Sequence, residues 1–403
     1  MSSIMETVMS RIRSVLLTSD LPPRPGGISN YLGQLYLHMR LPEHLIVGPT
    51  YAGDIEWDRA YALPVVRAHL NLSERWANDA LYHRPFDRLW RPFAMLRALR
   101  RCGGSMAGTM LHCGQVMSAG LVGRLLKHKQ GCPYLLFLFG GEVRKYEAIP
   151  SMRRLFRSIV SGAAGAIAVS RFALQAAEPF LDAHVPKSIV SPGVDHAFFR
   201  PHCGGSALRT RLGLDGHMVI LTVARLVATK GHARVIAALP DLLRLHPCIT
   251  YLVVGRGPEE VKLRQQVASL GLDAHVRFMG GVPDAELPAY YDAADVFALA
   301  SRDCPNGQVE GFGMVLLEAS ACGTPVVATR SGGTVEAVLH GQTGLLVDQD
   351  PPSQFTEAVA SLLSDAALRD RLGQAGRQWV LDEMGWNSKA SALATFLRGP
   401  FGE

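Results

Sequence analysis

The chain has 403 residues, 48% of them hydrophobic and 19% charged, with 40 glycines and 24 prolines; these proportions exclude disordered and collagen-like classes, and the length predicts two domains. The net charge of +6 conceals an asymmetry: residues 1–200 carry 24 Lys and Arg against 14 Asp and Glu, and residues 201–403 carry 17 against 21. A basic half joined to a mildly acidic one either reflects a generally Arg-rich composition or predicts that the first half meets an anionic partner such as a membrane surface, a phospholipid or nucleic acid.

The seven cysteines are scattered with no close C-x-x-C pair, which argues against a disulfide framework or a structural zinc site and fits a reducing cytoplasm. Arg11 and Arg13 precede only the short run Val15-Leu16-Leu17, so a secretory hydrophobic region is not expected. No apolar run reaches the ~18–20 residues of a spanning helix, which predicts a soluble or peripheral protein.

In chain order, short apolar strands alternate with amphipathic stretches. The first half predicts strands at Ser14–Thr18, Leu45–Val47, Met110–His112, Tyr134–Phe139 and Ala166–Val169. The second predicts them at Val219–Val223, Thr250–Val254, Val276–Phe278, Val296–Leu299, Pro325–Ala328 and Leu345–Val347. This is the pattern of two doubly wound α/β domains with parallel sheets, hinged within Pro186–Pro201.

Several segments carry candidate chemistry. After the first strand, Gly26-Gly27 precedes a helix expected to be capped by Ser29 or Asn30, and such a turn can approach a phosphate. Pro85–Arg101 sets Phe86, Leu89, Trp90, Phe93 and Leu96 at helical spacing among Arg84, Arg88, Arg91, Arg97, Arg100 and Arg101. A basic amphipathic helix of this kind either packs on its own sheet or meets an anionic membrane surface.

In the second half, Arg225 and Lys230 follow the strand Val219–Val223, where open α/β sheets bind ligands. An arginine fork and a lysine point charge there suit a nucleotide diphosphate. The next strand runs into Val254-Gly255-Arg256-Gly257-Pro258, but Glu260 takes the place of the third fingerprint glycine, which argues against a nicotinamide or flavin site. Glu310-Gly-Phe-Gly opens a helix near Gly313, leaving the amides of Gly313, Met314 and Val315 at a positive helix end suited to an anion. Glu318, one turn on, can accept from a ribose diol, and Glu310 can bind hydroxyls beyond the phosphates. Asp348-Gln-Asp350 spells a metal-binding D-x-D pattern, but it precedes Pro351-Pro352 and reads as a surface turn; the two cations already neutralise a leaving diphosphate, so no metal is expected.

These segments, with Asp20-Leu-Pro-Pro-Arg-Pro-Gly-Gly-Ile, Ser191-Pro-Gly-Val-Asp, Gly281-Val-Pro-Asp-Ala-Glu-Leu-Pro-Ala-Tyr-Tyr and Ser331-Gly-Gly, resemble the retaining glycosyltransferases of family four. Within that family the chain looks most like the phosphatidylinositol-mannoside mannosyltransferase branch. The resemblance implies the GT-B fold: Rossmann-like domains at 1–195 for the acceptor and 196–376 for the nucleotide sugar, facing across a cleft, and a helix in 377–403 crossing back to the first. It implies a retaining transfer from a GDP- or UDP-sugar to a hydroxyl of a lipid-linked or glycan acceptor; the cation pair makes this metal-independent, and the cysteine usage and basic first half predict a cytoplasmic protein, peripheral on the inner face of the membrane, with no nucleic-acid partner. It makes Arg225 and Lys230 diphosphate ligands, Glu310 a sugar ligand and Glu318 a ribose ligand, with the backbone near Gly281, Val282 and Pro283 touching the base. One departure stands out: Phe139 occupies the place of a histidine that binds the 6-hydroxyl of a donor hexose, so either the donor lacks that hydroxyl or another group takes it. The alternatives are a transferase with a small soluble acceptor and a non-catalytic sugar-nucleotide-binding partner.

Overall fold

The computed structural model describes residues 12–39, 43–70, 85–102, 106–147, 149–305 and 307–402. They form two compact units, one running up to Ser191 and resuming at Trp386, the other spanning Pro192–Gly385.

The first unit is built on seven parallel strands: β1 Ser14–Leu17, β2 His44–Pro49, β3 Val65–Ala68, β4 Met110–Cys113, β5 Tyr134–Leu138, β6 Gly165–Ala168 and β7 Lys187–Ile189. Their order is β3-β2-β1-β4-β5-β6-β7. Strands β1, β4 and β5 are buried along their whole length, as expected of a parallel sheet covered by helices on both faces. The two strands missing from the sequence-based list, β3 and β7, are the short edges of this sheet, and β7 lies inside the stretch expected to be only a hinge.

The second unit holds β8 Met218–Val223, β9 Ile249–Val254, β10 Val276–Gly280, β11 Val296–Leu299, β12 Val326–Thr329 and β13 Gly344–Val347, all parallel, in the order β10-β9-β8-β11-β12-β13. This is the doubly wound order of a nucleotide-binding sheet, with its topological switch between β8 and β11. Alternate side chains serve opposite layers. Val219 and Leu221 join one core with Phe297 and Leu316; Ile220 joins the other with Tyr251 and Leu239.

The segment expected to return as one helix from residue 377 is two helices. Ala366–Glu383 belongs to the second unit, where the Arg377 guanidinium donates to the carbonyls of His196, Phe199 and Ala321 at 2.9, 3.0 and 2.8 Å. These bonds hold residue 377 on its own unit, and the return begins only after Gly385. Helix Trp386–Phe401 then packs on helix Gly27–Met39 of the first unit, with the Trp386 and Tyr31 rings 6.2 Å apart.

Pro85–Arg101 is one helix with Pro92 inside it. Among its described residues Pro92, Ala94, Met95, Ala98 and Leu99 are buried, while Trp90 and Leu96 of the expected stripe are half-buried and Phe93 is exposed; the helix packs against helix Ala119–Gln130 and strands β2 and β3. Small side chains let the helix approach the sheet edge. Phe93 is left 53% exposed beside exposed Arg97, Arg100 and Arg101. The Trp90 ring lies tilted against Phe93 with centroids 5.5 Å apart, and its indole N–H donates to His69 O at 2.9 Å. Arg84 and the side chains of Phe86, Arg88 and Leu89 lie outside the described residues. No described helix is long and apolar enough to cross a membrane.

Candidate active site

The polar groups of the second unit gather at the carboxyl ends of β8 and β11. Strand β8 delivers Arg225 to an exposed position, and a tight turn over Ala228–Lys230 follows. Gly231 closes the turn at φ +71°, and a β-carbon there would stand 1.7 Å from the Ala300 carbonyl oxygen. Only glycine lets the Lys230 loop press so closely on the end of β11.

That approach brings Lys230 to Glu310. The ammonium donates to Glu310 Oε2 at 2.5 Å, and the two side chains are only 20% and 11% exposed. Ser301 Oγ lies 3.4 Å from the same oxygen. The loop carrying Glu310 is anchored by Gly333 N–H donating to Glu310 O at 2.9 Å, which joins it to the Ser331-Gly332-Gly333 turn.

Gly313, at φ +93°, caps the helix Met314–Ala321. The N–H groups of Met314 and Val315 open this helix with no carbonyl one turn behind them inside it, and both residues are half-buried. One turn along, Glu318 Oε2 accepts from the Tyr291 hydroxyl at 2.5 Å. Burial pushes the Glu318 carboxyl up to about 7, against the Tyr291 hydrogen bond; Asp284 raises it further and Lys230 lowers it. Tyr291 was absent from the sequence-based site. The signal for it was the Tyr290-Tyr291 pair ending the motif that begins at Gly281.

Gly257 has a different local part from the one spacing assigned. A β-carbon on it would stand 2.4 Å from Leu226 O, so it fits the β9 loop against the Lys230 loop, backbone to backbone. Val282, half-buried, packs against the core that also holds Leu316. The D-x-D aspartates pair with arginines, Asp348 with Arg330 at 3.4 Å and Asp350 with Arg234 at 3.2 Å. Among the described residues no group of three His, Cys, Asp or Glu could hold a metal ion.

In the first unit, the turn after β1 is set by a network that sequence reasoning missed. Arg24, buried, donates to Ser19 O at 2.9 Å and Asp20 Oδ1 at 2.6 Å, and Gln115 Nε2 donates to Asp20 Oδ2 at 3.1 Å. Gly26 and Gly27 follow. Helix Gly27–Met39 starts earlier than expected, because Asn30 N–H already donates to Gly26 O at 2.9 Å. Ser29 and Asn30 therefore lie inside the helix and do not cap it.

Phe139 is the first residue past β5. Its ring meets Tyr31 edge-on at 5.9 Å, and its N–H donates to Glu142 Oε1 at 2.8 Å. Burial pushes the Glu142 carboxyl up to about 7, against that hydrogen bond.

Comparison with known proteins fits this arrangement. The profile of the family described as Glycosyl transferases group 1 matches residues 207–379, which hold the charged cluster. The GDP-mannose-dependent alpha-(1-6)-phosphatidylinositol monomannoside mannosyltransferase of Mycolicibacterium smegmatis is 35% identical over 96% of this chain and 98% of its own. The enzyme of the same name from Mycobacterium tuberculosis is 33% identical over 97% and 99%. The fold is similar to that of HepE from Anabaena, solved with UDP and glucose, at a TM-score of 0.77 and 21% identity, covering 96% of this chain and 99% of that one. With its two doubly wound sheets and this likeness along its length, the chain belongs to the group 1 glycosyl transferases of GT-B fold and is a glycosyltransferase.

Proposed function

We propose that the protein transfers mannose from GDP-mannose to a hydroxyl of a phosphatidylinositol-mannoside acceptor, retaining the anomeric configuration and using no metal. The observation that carries the reading is the 35% identity, spread over 96% of the chain, to an enzyme whose name specifies that donor and that lipid. The charge pattern of the second unit supports it. Arg225, Lys230 and the amides of Met314 and Val315 meet the diphosphate as its charge grows, Glu310 takes sugar hydroxyls and Glu318 the ribose diol. The backbone at Gly281–Pro283 runs beside the base, and Gly26-Gly27 serves the phosphates from the first unit. The acceptor hydroxyl attacks the anomeric carbon on the face that the diphosphate leaves, the C–O bond to phosphate breaks, and the departing phosphate oxygen takes the acceptor proton. No covalent nucleophile is needed.

Phe139 offers no hydrogen bond to a hydroxyl, so with mannose as the sugar another group binds its 6-hydroxyl. The exposed Phe93, Arg97, Arg100 and Arg101 are proposed to rest on anionic lipid, which makes the enzyme peripheral at the membrane that holds its acceptor. The test is to incubate the purified chain with radiolabelled GDP-mannose and phosphatidylinositol monomannoside in vesicles containing a chelator. A dimannosylated lipid with a new α linkage is expected. Transfer from a UDP-sugar in preference, or to a soluble inositol phosphate only, would overturn the reading.

A further inference from the structure

Two cysteines that glycosyl transfer does not use meet in the second unit. Cys203 stands in the loop entering helix Gly205–Leu212, and Asp292 grips this loop, accepting from the N–H groups of His202, Cys203 and Gly205 at 2.9, 3.0 and 2.7 Å. Cys322 follows helix Met314–Ala321, whose opposite end carries Gly313–Val315. The loops touch: a β-carbon on Gly323 would stand 3.5 Å from Pro201 Cγ. Cys322 is buried in one core cluster and half-buried Cys203 packs against it, close enough for each thiol to shift the other.

We propose that Cys203 and Cys322 are an oxidative modification site, closing to a reversible disulfide when the protein meets hydrogen peroxide. The pair divides the work unequally. The hydrogen bond from Cys322 brings the Cys203 thiol down to about 7, with backbone N–H groups helping and burial and Asp292 opposing. Cys322 is held far above the usual thiol range by Cys203 and by burial. Near neutrality about half of the accessible member is therefore thiolate, the form that reacts, and its buried neighbour keeps its proton.

The Cys203 thiolate attacks one peroxide oxygen, breaking the O–O bond and giving a sulfenic acid and hydroxide. The Cys322 sulfur then displaces the sulfenic hydroxyl, which takes the Cys322 proton and leaves as water while the S–S bond forms; the hydroxide of the first step takes one proton from solvent and is the second water. In total two thiols and one peroxide give one disulfide and two waters, the two sulfurs supplying the two electrons. The bond would tie the entry loop to the end of the helix that begins with Gly313–Val315.

The test treats the reduced full chain with one equivalent of hydrogen peroxide and maps its peptides by mass spectrometry without reductant. The expected result is a Cys203–Cys322 cross-linked pair, reversed by dithiothreitol, with Cys203 oxidised several times faster than exposed Cys248. In Cys322→Ser, Cys203 should stop as a sulfenic acid that dimedone traps; in Cys203→Ser, Cys322 should remain a free thiol. Oxidation falling first on Cys248 or Cys304, or wild-type Cys203 passing to the sulfinic acid while Cys322 stays free, would overturn the proposal.

Discussion

Lys230 and Glu310 neutralise each other across 2.5 Å, so a diphosphate must compete with a carboxylate for the ammonium that would hold it. Glu310→Gln removes that competitor and keeps the shape. GDP should bind roughly three- to tenfold more tightly to this variant, while mannosyl turnover falls because the sugar loses its anionic partner. Lys230→Ala should lose about 10²-fold in turnover. Calorimetric titration of GDP together with initial rates checks both, and unchanged GDP affinity in Glu310→Gln would show that the carboxylate does not compete.

A second expectation concerns pH. Glu318, pushed up to about 7 by burial, changes charge near neutrality, and its ionised form is the better acceptor for a ribose diol. Affinity for GDP-mannose, whose diphosphate diester does not titrate there, should rise as pH goes from 6 to 8. Glu318→Gln should flatten that profile. Tyr291→Phe, which removes the hydroxyl bonded to Glu318, should move the midpoint upward. A profile of the same slope in wild type and Glu318→Gln would assign the titration to another group.

His232 opens the helix that follows Lys230. It is buried, and neither ring nitrogen has a partner among the described residues. Burial, then the Lys230 charge, lowers its pKa to about 4. A histidine depressed below its unfolded value of about 6.5 binds more protons unfolded than folded, so its contribution to stability falls as pH drops from about 6.5 to about 4. His44, lowered to about 3 by burial and then by His112, acts in the same direction. The raised carboxyls Glu142 and Glu318 act oppositely: they hold protons in the fold that the unfolded chain releases above about 4.5, and so lose stability as pH rises towards 7. The clean observable is therefore a difference. His232→Leu, which exchanges two unsatisfied polar atoms for apolar ones, should raise Tm relative to wild type, and the gain should widen from pH 7 to pH 5. A gain that does not depend on pH would mean that His232 takes up its proton in the fold as readily as in the unfolded chain.

The strands legible in the sequence are those whose apolar runs are buried on both faces, such as Val15-Leu16-Leu17 and Tyr251-Leu252-Val253. Strand β3 was not, because Arg67 breaks its run. In the fold that arginine is satisfied by Asp58 and by the carbonyls of Pro49 and Pro22, partners no local pattern announces. The charged members of the site were legible for a simple reason: cations and carboxylates at strand ends have few structural uses. Tyr291 and the Arg24–Asp20–Gln115 network were not, since each depends on hydrogen bonds between distant segments. The misplaced cap at Ser29 or Asn30 has the same origin, a helix start decided by the carbonyl of Gly26 rather than by a side chain.

The last expectation concerns the helix Pro85–Arg101. Among its described residues Pro92, Ala94, Met95, Ala98 and Leu99 are buried while Arg97, Arg100 and Arg101 are exposed, so these arginines are not needed to hold the helix in place. Near an anionic surface each basic side chain contributes about 1 kcal/mol. Replacing the three with glutamine should therefore weaken binding to vesicles rich in anionic lipid by about 10²-fold, with melting temperature and GDP affinity unchanged. Phe93→Ser, which removes an exposed apolar ring from the same helix, should weaken it further even at high salt, where the charge contribution is screened. Vesicle flotation with purified variants reads this directly. If wild type does not float with anionic vesicles, or the triple variant floats as well as wild type, the helix does not dock on lipid and the acceptor reaches the enzyme by another surface.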